Sequence, residues 1–160
     1  MRNIFDCNKR QSNLMKQYSG EDRRNQTNKI ISELVQERQQ VWSLYCTAAG
    51  LEPYSNRDSV ESKVKEFCQI LVDYISLGHF GIYQRIADGR ERRSKVVKIA
   101  AEVYSKIAST TDAAVAFNDK YDQLSGDALV NNLSSDLSRL GEALAARIEL
   151  EDQLIAGIIQ

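Results

Sequence analysis

The chain has one histidine, one proline, one tryptophan and three cysteines in 160 residues, and it is almost uncharged overall, with 21 basic against 22 acidic side chains. Each scarcity excludes something. His79 and the scattered Cys7, Cys46 and Cys68 form no CxxC, HExxH or Glu-x-x-His pattern, so no zinc or di-iron site is expected and no cofactor is implied. The charge balance gives no global reason to expect nucleic acid. No apolar run approaches the roughly 20 residues that cross a bilayer, because Asp73, His79 and Arg85 to Asp88 interrupt the most hydrophobic segment. The odd cysteine count, and a start (MRNIFDCNKRQSNLMKQ) without a basic cluster followed by an apolar core, fit a reduced, cytoplasmic setting. No glycine-rich loop follows a strand, which argues against nucleotide-fold chemistry, and no oxyanion-type loop accompanies Ser76 and His79. Catalysis is not expected.

Strand signals are also missing: no stretch alternates for long, and no Asn-Gly or Asp-Gly joins two β-branched runs. Long segments with apolar residues three and four apart are present instead, separated by Gly50, Gly89 and Gly126, which suit helix ends. The first segment, about 28–49, buries Ile30, Ile31, Leu34, Val35, Val41, Trp42, Tyr45 and Ala48; Pro53 closes it within GLEPYSNRDS, whose Ser55 or Ser59 can cap the next helix. The second, about 57–87, carries Val60, Val64, Phe67, Leu71, Tyr74, Gly78 and Ile82 inward. The third, about 91–118, carries Val96, Ile99, Ala100, Val103, Ile107 and Val115, and the fourth, about 127–159, Leu133, Leu137, Leu140, Leu144, Ile148, Leu154, Ile155 and Ile158. The expectation is all-α: an up-down-up-down four-helix bundle forming one domain over 28–160. Residues 1–27 are polar, with only scattered apolar anchors, and read as a flexible or partly helical N-terminal arm.

The stretch LVDYISLGHFGIYQRI, 71–86, is unusual for a core helix. At 3.6 residues per turn its inward stripe faces away from Asp73, Ser76, Phe80 and Tyr83, with His79 at the boundary. Exposed aromatics beside polar groups mark contact surfaces, whereas aromatics at this spacing are otherwise core. Gly78 on the inward stripe would permit close approach of a neighbouring helix, and a helix-interior glycine costs about 1 kcal/mol relative to alanine, which something should offset. The last helix places Arg147 and Glu151 inward, four apart; a structural ion pair with the arginine head reaching outward is one reading, a docking element the other. The basic run GRERRSKVVK, 89–98, reads as a solvated face.

FCQILVDYISLGHFGIYQRI, 67–86, resembles the signature segment of the Rsd/AlgQ family of bacterial regulators, and LSRLGEALAARIELEDQLI, 137–155, and ERQQVWSLYCTAAGLEP, 37–53, are similar to that family at the same spacings. The resemblance implies a helical bundle that is not an enzyme. It implies an anti-sigma factor binding region four of the primary sigma subunit of RNA polymerase and sequestering it from core polymerase and −35 DNA; whether the free protein is a monomer is left open by the residues. The motif carries Asp73, Ser76, His79, Phe80, Tyr83 and the following Gln84 as partner-binding residues, although the family usually has glutamate at the last position, and Ser32 to Val35 depart from its pattern. The alternative is a histidine-phosphotransfer module using His79; such modules place lysine and glycine three and four residues later, where this chain has Ile82 and Tyr83.

Overall fold

The structure, a computed structural model, describes the backbone of residues 4–50 and 59–160 and the side chains of residues 20–50 and 59–160. It is all-helical, with no strand among the described residues. Helix α1 is Ile4–Ala48 and α2 is Val60–Gly78; a π-helical turn, His79–Tyr83, leads into the short α3, Gln84–Ala87; then come α4, Ser94–Asp122, the short α5, Gly126–Val130, and α6, Leu133–Ile159. The helical backbone of α1 begins well before residue 28, so the sequence boundary between arm and first helix does not correspond to a break in it. The apolar anchors in residues 1–19 lie outside the described side chains.

The breaks follow from residue chemistry. Gly50, Gly89 and Gly126 have φ of 70°, 68° and 55°, a region costly for any residue with a Cβ. Ser59 caps α2, its hydroxyl accepting from the Ser62 amide at 3.1 Å; Ser55, the other candidate, lies outside the described residues. In the α3–α4 connection, Glu91 accepts from both the backbone and side chain of Arg93, whose guanidinium also donates to the Ile158 carbonyl, fastening this loop to the end of α6.

Helix α1 packs along α2, α2 along α4, α4 along α6, and α6 returns to α1. The stripe Val64, Phe67, Leu71, Tyr74, Gly78 and Ile82 is buried as the spacing requires, as are Leu34, Val41, Val96, Val103, Ile107 and the α6 leucines. Two expected core residues are exposed. Val60 stands at the first position of α2, beyond the packed region, and Val115 gives way to Ala114 and Phe117, which lie on the packed side of α4. The interior has two ends of different character. One is aromatic: Trp42, Tyr45, Phe67, Phe117 and Tyr121 form a chain of ring contacts with centroids between 4.4 and 5.9 Å apart, spanning α1, α2 and α4. Tyr45 crosses to α6 by donating to the Leu137 carbonyl at 2.9 Å, passing over Gly141, where an added Cβ would collide with the phenol. The other end is polar and is described below.

Gly141→Ala is expected to displace Tyr45, forfeit its hydrogen bond and lower stability by about 1–3 kcal/mol, read as a lower urea midpoint at unchanged m-value; an unchanged midpoint would mean that the Tyr45 crossing contributes nothing.

Candidate functional site

Helix α2 reaches the polar end of the interior at Tyr74, and there the α-helical repeat changes. The Gln84 amide donates to the His79 carbonyl five residues back, the mark of a π turn. A π turn holds one more residue than an α turn, so every side chain after it lags the α-helical count by about one position. Tyr83, which regular counting places outward, is therefore turned in and is 5% exposed. Tyr83 is not a surface residue. Phe80, inside the turn, stays outward and is 64% exposed.

Tyr83 turns toward a buried ion pair. Arg147 and Glu151, one turn apart on α6, are each 1% exposed. The Arg147 Nε donates to Glu151 Oε1 at 2.8 Å. Tyr83 donates to the same Oε1 at 2.9 Å and Tyr74 to Oε2 at 2.5 Å, so both carboxylate oxygens are satisfied by phenols. The other side of the guanidinium reaches α4: Nη1 donates to the hydroxyls of Thr111 at 2.8 Å and Thr110 at 3.3 Å, and both hydroxyls pass a hydrogen bond on to the Ile107 carbonyl. Its carbon lies 5.2 Å from the Tyr74 ring centre and 5.8 Å from that of Tyr83, within cation–π range. From α1, Arg38 bonds Asp152 at 2.7 Å and approaches Glu151 Oε2 at 4.0 Å. One cluster thus draws on all four long helices. The Arg147 head is enclosed; it does not reach out to solvent.

The glycines of the motif now have causes. A Cβ on Gly78 would lie 3.1 Å from Arg147 Nη2 and 3.2 Å from the Tyr83 ring, so this glycine makes room for a guanidinium, not for a helix backbone. Nη2 itself has no hydrogen-bond partner among the described residues. A Cβ on Gly81 would lie 2.9 Å from Ile30 Cγ2, so the π turn can sit against α1 only with glycine there.

Electrostatically, burial and then the Glu151 charge push the Tyr74 and Tyr83 phenols well above the ordinary tyrosine value, Arg147 acting in the opposite direction. For Arg147, burial is the largest influence and favours loss of the proton, but Glu151, Tyr83 and Tyr74 together outweigh it and the net shift is upward, so the guanidinium stays charged.

The outward side of the same segment carries Asp73, Ser76, His79, Phe80 and Gln84; Ser76 is half-buried and the others are exposed. The His79 imidazole meets the Phe80 ring edge-on, with centroids 4.9 Å apart. Of the residues singled out from the sequence, Asp73, Ser76, His79, Phe80 and Gln84 lie along this face, while Tyr83 joins Arg147 and Glu151 inside. Sequence reasoning missed Thr110, Thr111 and Arg38 as members of the interior cluster. The only signal was a pair of threonines on the packed side of α4 and an arginine five positions after Glu33, neither of which specifies a partner.

Glu151→Gln, which removes the charge but not the shape, is expected to cost about 3–5 kcal/mol by leaving Arg147 buried without a counter-charge, whereas Tyr83→Phe should cost about 1–3 kcal/mol; urea unfolding that ranked the two in reverse would refute the assignment of Glu151 as the centre. Because the folded phenols hold their protons more tightly than the unfolded ones, their contribution is intact below the ordinary tyrosine value of 10.0 and is lost as pH rises above it. Alkaline unfolding should then accompany tyrosinate absorption in the wild type, with a class of tyrosines that ionises only on unfolding and shrinks in Tyr83→Phe.

Comparison with known proteins matches residues 13–159 to the family described as "Regulator of RNA polymerase sigma(70) subunit, Rsd/AlgQ". Among curated relatives, "Regulator of sigma D" of Yersinia enterocolitica is 35% identical over 133 residues, covering 81% of this chain and 80% of the relative. The protein of the same name from Yersinia pseudotuberculosis is also 35% identical over 133 residues, covering 81% of this chain and 79% of its own, and that of Escherichia coli is 32% identical over 137 residues, covering 81% and 83%. No solved structure matches the chain. With both the extent of the family match and the level of identity over most of its length, the chain belongs to the Rsd/AlgQ family of sigma-subunit regulators, a protein-binding and not an enzymatic family.

Proposed function

We propose that this protein is an anti-sigma factor that binds region four of the primary sigma subunit through the outward face of α2 and the π turn, and so withholds sigma from core polymerase and from −35 DNA. The observation that carries the reading is the exposure of Phe80, 64% open to solvent on a face otherwise made of Asp73, Ser76, His79 and Gln84. A large ring left in water beside polar groups gains most when a partner covers it, and aromatic side chains dominate the energetic centres of interfaces. A DNA-reading surface is basic, and Asp73 offers it a carboxylate in place of a phosphate. Gln84 supplies amide hydrogen bonding where a carboxylate would have added charge, which leaves the face less acidic. The ring of contacts among α1, α2, α4 and α6 supports an up-down-up-down bundle over residues 28–160 that holds this face rigid. No described helix is long and apolar enough to cross a membrane. In this reading the protein is a cytoplasmic regulator that contacts sigma and not nucleic acid.

In this reading Tyr83 acts from inside, holding the turn that presents Phe80, and touches no partner. The phosphotransfer alternative gains nothing from the geometry, because the positions where such modules carry lysine and glycine hold the buried Ile82 and Tyr83.

Capture of purified sigma region four by the wild type, quantified by titration calorimetry, tests the proposal. Phe80→Ala should weaken binding about 30-fold or more at unchanged helicity, as expected of an interface hot spot, and Asp73→Ala should weaken it less and reduce its salt dependence. Tyr83→Phe should bind as the wild type does wherever it is folded. A wild-type protein that ignores region four, or a Phe80→Ala variant that binds normally, would sink the reading.

A further inference from the structure

The loop between α3 and α4 faces the N-terminal half of α1 across a cleft of about 660 Å³. Its walls carry Arg23 and Gln26 of α1, Arg85 of α3, Arg90 and Arg92 of the loop, and Phe80 at the mouth. Four guanidinium groups around one cleft are unexpected in a chain whose net charge is only −1. The two acids of the loop are both paired, one outside the cleft and one with a cleft arginine. Glu91 is taken by Arg93, which also bonds the Ile158 carbonyl, and Asp88 lies 3.8 Å from Arg90 and offsets part of its charge in a largely exposed pair, leaving the cleft a net excess of positive charge. Arg85 is half-buried, yet among the described residues neither it nor Arg92 has a hydrogen-bond or ion-pair partner through its side chain. A partly desolvated guanidinium beside other cations raises the local potential and favours an anion that can neutralise several at once.

The shape of the donors identifies the anion. Arginine forks match the paired oxygens of phosphate, and several around one cleft suit a chain of phosphates better than a single carboxylate. At the same mouth, the open ring of Phe80 offers a stacking face for a base, and the Gln26 amide offers a donor and an acceptor to a base edge. The volume lies within the range of small-molecule sites. From this combination we infer that the cleft between α1 and the α3–α4 loop binds a nucleoside polyphosphate, with Arg85, Arg92, Arg90 and Arg23 on the phosphates and Phe80 against the base. No bond is made or broken in this site; the inference concerns binding and does not rest on the sigma reading, although the two surfaces share Phe80.

Titration calorimetry of the full-length chain, without magnesium, against inorganic tripolyphosphate, ATP, GTP, adenosine and a short glutamate oligomer decides the matter. Tripolyphosphate and the nucleotides should bind saturably and lose affinity as salt rises, with one of the nucleotides about tenfold tighter than tripolyphosphate through base stacking. The double variant Arg85→Gln/Arg92→Gln should lose about tenfold or more for both classes through the missing charge-assisted bonds. Phe80→Leu should lose only the increment due to the base. If neither class binds saturably, if the double variant binds unchanged, if Phe80→Leu keeps the nucleotide increment, or if the glutamate oligomer binds more tightly than the nucleotides, the inference is overturned. Circular dichroism of each variant verifies that the helices are intact, and the salt dependence and ligand ranking of the wild type test the inference without any substitution.

Discussion

A charged guanidinium enclosed at the end of a helical bundle imposes its requirements on everything around it. Arg147 cannot lose its proton under ordinary conditions, so burial obliges the protein to surround it with a counter-charge and acceptors. Glu151 supplies the first and the hydroxyls of Thr110 and Thr111 the second, while the rings of Tyr74 and Tyr83 cover the guanidinium from α2 and the π turn. Glu151 in turn must be satisfied, and it takes a phenol on each oxygen. A buried pair of this kind contributes little net stability over well-packed apolar residues of similar volume. What it does is join α2, α4 and α6 at one point, in the register that brings these partners together, and Arg38 adds α1 to the same arrangement.

The π turn follows from that requirement. Within an unbroken α-helix, Tyr74 and Tyr83 would face different directions, and only one phenol could reach Glu151. One added residue in the turn brings the second phenol round, and the same turn leaves Phe80 in solvent. Interior and exterior are therefore coupled through a single turn of backbone. Gly78 and Gly81 complete the arrangement, the first because the guanidinium occupies the space of its missing side chain, the second because Ile30 of α1 does. The helix-forming cost of two glycines is offset by the packing each allows.

Phe80 also stands where two surfaces of opposite character meet. On one side the face of α2 carries Asp73; on the other the cleft beneath the α3–α4 loop carries four arginines. The near-zero net charge conceals this separation, since charges distributed over different faces cancel in a sum but not in the field near either one.

Much of the fold could be read from the residue order. Helical spacing assigned Val64, Phe67, Leu71, Tyr74, Gly78 and Ile82 to one buried stripe, three glycines marked helix ends, and Arg147 with Glu151 was placed inward, because these are local consequences of a 3.6-residue repeat and of which residues tolerate positive φ. The local motif also sufficed to mark Phe80 and Asp73 as a surface pair. Counting failed at Tyr83, since a change of helical repeat is not written in the residues of the turn alone; it is decided by a carboxylate 68 residues away that requires a second phenol. The partnership of Thr110, Thr111 and Arg38 with the ion pair, and the gathering of Arg23 with Arg85, Arg90 and Arg92, were likewise settled only when separate helices came together. By itself the sequence determined the helices and the faces they present, which depend on neighbours along the chain; the tertiary structure decided how a buried charge was satisfied and which aromatic ring was left in water, because that balance of desolvation and pairing is struck between distant elements.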